Sequence, residues 1–149
     1  MAYKDYSQLV TYFQGLTATV TELKSVTVGS DEEDLNLQNS RIVYPHLRVD
    51  TPEIKCLNDD EKMVSRYPFR MYVLSNEPKK TNAEENAVLS SMEKICRKLI
   101  RRLWTDADAG LFDLITGEKP ADAVRHWSGD NVFGWWWTVV IDLYTDECA

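Results

Sequence analysis

The clearest signal along the chain is a stripe of apolar residues, Val88, Met92, Ile95, Cys96, Leu99, Ile100 and Leu103, at three- and four-residue intervals. That spacing predicts an amphipathic helix laid on a sheet. Thr81 with Glu84 three residues later has the form of a capping box and sets where the helix opens. Asp5 with Gln8 repeats the box ahead of Tyr6, Leu9, Val10, Phe13 and Leu16, and predicts a first helix from Asp5 to Gly15.

Period-two alternation predicts the strands. In Arg41 to Asp50, Val43, Leu47 and Val49 share one face and Tyr44, His46 and Arg48 the other, with Pro45 placing the strand near an edge or at a strand start. From Met63 to Ser75, Tyr67, Phe69, Met71 and Val73 share a face opposite Arg66, Pro68, Arg70 and Tyr72. The polar stretch at Asn58, Asp59 and Asp60 supplies the turn of an antiparallel meander between them. After a turn at Ser128, Gly129 and Asp130, a strand from Val132 to Tyr144 sets Phe133, Trp135, Trp137, Val139, Ile141 and Leu143 against Gly134, Trp136, Thr138, Val140, Asp142 and Tyr144. The first face is wholly apolar and belongs to a core; the second is mixed.

Weaker segments complete the pattern. Leu16 to Val28 is rich in Thr and Val and is expected to be extended. The acidic run Asp31, Glu32, Glu33 and Asp34 reads as a solvated loop, and the apolar run Leu111 to Ile115 fits either type of element. The whole predicts a single α+β domain over residues 1–149. Its sheet is antiparallel or mixed, of about four strands, packed by a long amphipathic helix and an N-terminal helix.

Composition narrows the class. A chain of 149 residues, 44% hydrophobic and 28% charged, buries a core without disulfide or metal staples. No apolar run approaches the roughly 20 residues that span a bilayer, and the first residues lack a basic region followed by an apolar one, so a soluble protein made in the cytosol is expected. Cys56, Cys96 and Cys148 are an odd number, spaced too widely for a disulfide framework or a metal-binding pair, and read as reduced thiols with Cys96 buried. A formal net charge of -7 opposes general attraction to phosphates, so no specific nucleic-acid binding is expected.

Candidate chemistry is sparse. His46 and His126 are the only histidines, and each reads as structural more readily than as a base or zinc ligand. No nucleophile elbow, phosphate loop or dinucleotide fingerprint occurs. Asp106, Asp108 and Gly110 resemble a calcium loop, but the glycine sits one place early and Gly117 stands where a bidentate glutamate is needed. The carboxylates of Asp31 to Asp34 and Asp59 to Glu61 read as charged surface, with a paired-carboxylate enzyme as the sharper alternative. No catalytic, cofactor-binding or metal-binding residue is assigned, and no cofactor is expected.

Two surfaces stand out instead. Lys94, Arg97, Lys98, Arg101 and Arg102 lie on the outer side of the long helix toward its C-terminal end. There the helix dipole favours cations, and Glu93 can pair with Arg97. The sharper reading is a docking surface for an acidic partner, such as Asp31, Glu32, Glu33 and Asp34 of a neighbouring copy. Trp136 and Tyr144, on the mixed face of the closing strand, either cover a second helix or form an exposed aromatic patch that marks an interface.

The order of elements, carried by YPHLRVD, YPFRMYVLS, the helix from Asn82 to Trp104 continuing into AGLFDLI, and GWWWTVVIDLYTDE, resembles the tail-terminator and tail-completion (head-tail joining) proteins of long-tailed phages. The likeness covers well over half the chain. Leu16 to Asn39 and the triple tryptophan depart from it. The resemblance implies a non-enzymatic virion protein of the tail or neck, forming a homo-oligomeric ring with other tail or neck proteins as partners and no membrane contact. The alternative is a small α+β protein- or ligand-binding module from a bacterial mobile element.

Overall fold

The computed structural model describes residues 2–29, 42–59, 62–76, 81–115, 122–125 and 132–145. Helix α1, Tyr6–Gln14, begins where expected: the Asp5 side chain accepts the Gln8 N–H at 2.9 Å. The return bond departs from the usual box, because Gln8 Oε1 takes the amide of Lys4 at 2.5 Å rather than that of Asp5. Leu9 and Phe13 are the buried side of α1.

The expected extended run from Leu16 is corrected at its start. Leu16–Thr19 forms a short helix α2, closed by the Val20 N–H on the Leu16 carbonyl at 2.8 Å. One helical turn puts Leu16 and Val20 together in the core, which outweighs the β preference of the threonines. Extended backbone starts only at β1, Ser25–Val28.

β1 pairs parallel with β2, His46–Val49, a strand shorter than the predicted Arg41 to Asp50. Pro45 stands at its start, but β2 is interior, lying between β1 and β4, Lys62–Ser75, and all four of its residues are buried. Val43 does not join Leu47 and Val49, and is 51% exposed.

The polar stretch expected only as a turn contains a strand, β3, Lys55–Asp59, which pairs antiparallel with β4 from Lys55↔Arg66 to Asp59↔Lys62. β2 uses the same edge of β4 further along, from Val49↔Met71 to His46↔Leu74. Residues 50–54 on one arm thus face only residues 67–70 on the other. The first arm thus carries one surplus residue, the count found at a β-bulge.

Helix α3, Asn82–Asp108, is capped by Thr81, whose hydroxyl accepts the Glu84 N–H at 3.2 Å. Its 27 residues run about 40 Å, nearly matching β7, Phe133–Thr145, whose 13 residues span about 43 Å. β7 pairs with β4 over its whole length, from Ser75↔Phe133 to Met63↔Thr145. This ribbon is the centre of the sheet. Two short strands, β5 at Asp113–Leu114 and β6 at Asp122–Arg125, line the outer edge of β7. Among the described residues the sheet has seven strands, not about four, in the order β1-β2-β4-β7-β5, with β3 beside β4 and β6 beside β7. It is mixed through the single parallel pair, and the α+β class stands.

The three helices of the described residues lie on one face of the sheet. Tyr67, Phe69, Met71 and Val73 of β4 join Phe133, Trp137, Val139, Ile141 and Leu143 of β7 beneath Leu9 and Phe13 of α1 and the stripe of α3. Phe13 meets Phe69 edge-on at 4.8 Å, and the Trp135 indole N–H donates to the Leu89 carbonyl at 2.8 Å, tying β7 to α3. Ile100 departs from the predicted stripe: it is 37% exposed, because it falls to the side of the line through Leu99 and Leu103.

Gly134 belongs to the opposite face. A Cβ there would lie 1.8 Å from the Val73 carbonyl oxygen, so no other residue fits without moving backbone.

Candidate functional site

The five cations singled out on α3 do not act as one surface. Arg102 faces α1 and α2, and Lys98 faces the segment that follows α2. Lys98 is ion-paired with Glu22, which holds that carboxyl below its usual range. Arg102 forks onto Asp106 through Nε at 2.9 Å and Nη2 at 2.8 Å. Arg97 pairs with Glu93 one turn back at 2.7 Å, as the spacing anticipates. Lys94 and Arg101 are exposed and have no carboxylate partner among the described residues. The acidic run at Asp31, Glu32, Glu33 and Asp34 lies outside the described residues, as do His126 and Cys148.

Asp106 sits at the floor of a groove of about 450 Å³ between α1 and the end of α3. It is buried, accepts the Tyr12 hydroxyl at 2.6 Å and receives both Arg102 bonds. Burial first, and then this bond to a carboxylate, raise the Tyr12 phenol far above its ordinary range. Tyr12 is therefore a fixed donor that staples α1 to α3. Asp106 is a helix residue with its oxygens engaged, which removes it from the calcium-loop reading. Nothing in the sequence marks it as buried except its position three residues past Leu103, on the inner side of the helix.

His46 is placed as a structural bridge. It is buried, with Nδ1 2.6 Å from Ser25 Oγ and Nε2 2.9 Å from Thr27 Oγ1, both on β1. A serine beside an imidazole has the pairing of a nucleophile and its base. Here burial, then the neighbouring Arg48, push the imidazole down to about 4, too weak a base for that work near neutral pH.

The mixed face of the sheet carries Trp136 and Tyr144. Among the described residues no helix lies on it. Trp136 is half-buried against Tyr72, Leu74 and Val132, a small second apolar cluster on which Tyr44 also packs, with the Arg70 guanidinium 5.0 Å above its ring. Tyr144 is eight residues along the same strand, about 26 Å away. It lies beside Val64, which in turn pairs with Leu57. Between the two aromatics Arg66 makes a bidentate bridge to buried Asp142, both bonds at 2.9 Å. The two aromatics are separate features and do not form one patch.

A further exposed aromatic lies outside the surfaces the sequence singles out. Trp104 of α3 is 44% exposed and stands one turn from Ile100. The signal is present in the sequence, since Trp104 falls one residue off the line through Leu99 and Leu103. Among the described residues no group of three His, Cys, Asp or Glu side chains is arranged to hold a metal ion, and no helix is long and apolar enough to cross a membrane. No family model matches the chain, and no curated protein is significantly similar to it.

Proposed function

We propose that the chain is a non-enzymatic structural subunit of a phage tail or neck, made in the host cytoplasm and incorporated in the virion. It forms a homo-oligomeric ring that terminates the tail tube or joins it to the head. The observation that supports this best is the unlike character of the domain's two sides. One side of the sheet ends in the uncharged strand β1, and the other in β5, which packs against α3, the helix that carries exposed Ile100 and Trp104. Unlike sides joined head to tail generate rings when the rotation closes. Electron microscopy and sedimentation of the purified protein test the reading. Closed rings of one size are expected; a strict monomer at high concentration in low salt overturns it.

The groove at Tyr12, Arg102 and Asp106 favours a second reading, a small protein- or ligand-binding module from a bacterial mobile element. Gene neighbourhood separates the two, since only the first expects portal, capsid and tail-tube genes alongside.

A further inference from the structure

We infer that the open half of the sheet's mixed face, around Lys55, Arg66, Asp142 and Asp113, is a twofold contact through which one copy of this chain stacks on a second. This contact is independent of the ring reading, because lateral contacts use the sides of the domain and this one uses the face of its sheet.

The strand registers put four charged residues in one straight row. Asp113 stands opposite Asp142, Asp142 opposite Arg66, and Arg66 opposite Lys55, on β5, β7, β4 and β3 in turn. Directly opposed residues point to the same face of a sheet, so all four charges lie on the mixed face. The order is acid, acid, base, base. Only the central pair is of opposite sign, and it is closed by the bidentate Arg66–Asp142 bridge. At each end like stands beside like, which destabilises a sheet. Exposed Asp113 and Lys55 have no ion-pair partner among the described residues.

That order selects the occupant. Read backwards it is base, base, acid, acid, so a second copy of the same row, reversed, sets an opposite charge over every position. A twofold axis running along the β4–β7 seam, between two facing sheets, performs this reversal. Asp113 then meets Lys55 of the second copy, Lys55 meets its Asp113, and the two Arg66–Asp142 bridges meet in opposite order. Aligned sheets pack about 30° from parallel, which leaves the middle of the rows in register. The same axis sets Val140 over Pro68 on one side of the row and Tyr144 over Val64 on the other. One row further it sets Arg70 over Thr138, so no like charges meet there. Ile115, Leu57 and Tyr144 border the row and are 41%, 39% and 36% exposed, so this half of the face is open to water. Four strands about 4.8 Å apart and three rows about 7 Å apart make about 400 Å² a side, the size of a weak contact.

Sedimentation of the full-length chain at up to about 1 mM, in low and in high salt, tests the contact. Lys55→Asp and Asp113→Lys are compared with the wild type singly, mixed one to one, and combined in one chain. Circular dichroism confirms folding, which these exposed substitutions leave intact. Each variant alone turns both end contacts repulsive and should weaken pairing about tenfold. The mixture and the double variant put opposite charges back at both ends and should recover wild-type pairing, and pairing in every case should weaken as salt rises. Single variants that weaken pairing without rescue by the mixture or the double variant overturn the contact. Closed rings that neither variant changes also overturn it and leave the ring reading standing. A wild type that stops at two copies, with the rescue seen, supports the contact and overturns the ring. A wild type that stays monomeric in low salt overturns both.

Discussion

Acidification from about pH 7.5 to about pH 4.5 tests the bridge between β1 and β2 through His46. Ser25 Oγ lies 2.7 Å from the Val43 carbonyl and 2.6 Å from His46 Nδ1, and has one proton to give. With that proton on Val43, Nδ1 donates to Ser25 and Nε2 accepts from Thr27. Protonating Nε2 turns the Thr27 hydroxyl from donor to acceptor and adds a charge in a buried site close to Arg48. The folded imidazole titrates at about 4 against 6.5 when free. Folding stability is then fully present above pH 6.5 and is lost as pH falls toward 4, because there the unfolded chain binds a proton the folded chain refuses. At about 1.4 kcal/mol per unit, the window is worth about 3 kcal/mol. Urea unfolding of the wild type and of His46→Gln at both pH values isolates it, since the carboxylates and His126 titrate in both proteins and cancel. The wild type is expected to lose about 2–3 kcal/mol more than the variant on acidification. Equal losses, or an imidazole that titrates near 6.5 by NMR in the folded protein, refute the reasoning.

Three further outcomes follow from the packing. Gly134→Ala drives a methyl into the Val73 carbonyl and should destabilise by about 1–3 kcal/mol or more, seen as a lower urea midpoint. Asp106→Ala strands the Tyr12 hydroxyl and frees Arg102; a cost of about 1–3 kcal/mol is expected, with the Tyr12 phenol titrating closer to its ordinary range by ultraviolet absorbance. In a Cys148→Ser background, exposed Cys56 should react with a thiol reagent at once. Cys96, buried and pushed up to about 12, should react only after denaturation, as mass spectrometry of the labelled chain will record.

What the sequence disclosed follows from how long each element is. β4, β7 and α3 are long enough for a period of two or 3.6 to repeat several times, and the inward faces read from them match the core. β1, β3, β5 and β6 have two to five residues each, too few to establish a period; β3, β5 and β6 form because β4 and β7 offer them an edge, and β1 because β2 does. The candidate surfaces were legible as residue types and not as places. Whether a cation on α3 is free or engaged depends on which flank it occupies and on Glu22 and Asp106, one of them remote in sequence. Alternation turns Trp136 from the core and left a second helix or an exposed patch as its alternatives; Tyr72 and Leu74 instead give it a second, smaller core.

The β4–β7 ribbon also governs when the domain can exist. It joins residues from 58 positions apart, Ser75 with Phe133, to 82 apart, Met63 with Thr145. Contacts so distant along the chain fold slowly, and none forms until β7 has been made. On the ribosome, β4 and α3 therefore emerge without their principal partner and hold their apolar faces unburied while the rest is synthesised. Since α3 is held in place by β7, any surface it offers to a neighbour is in position only once the chain has passed Thr145, so subunit contact must follow synthesis of the ribbon rather than accompany it.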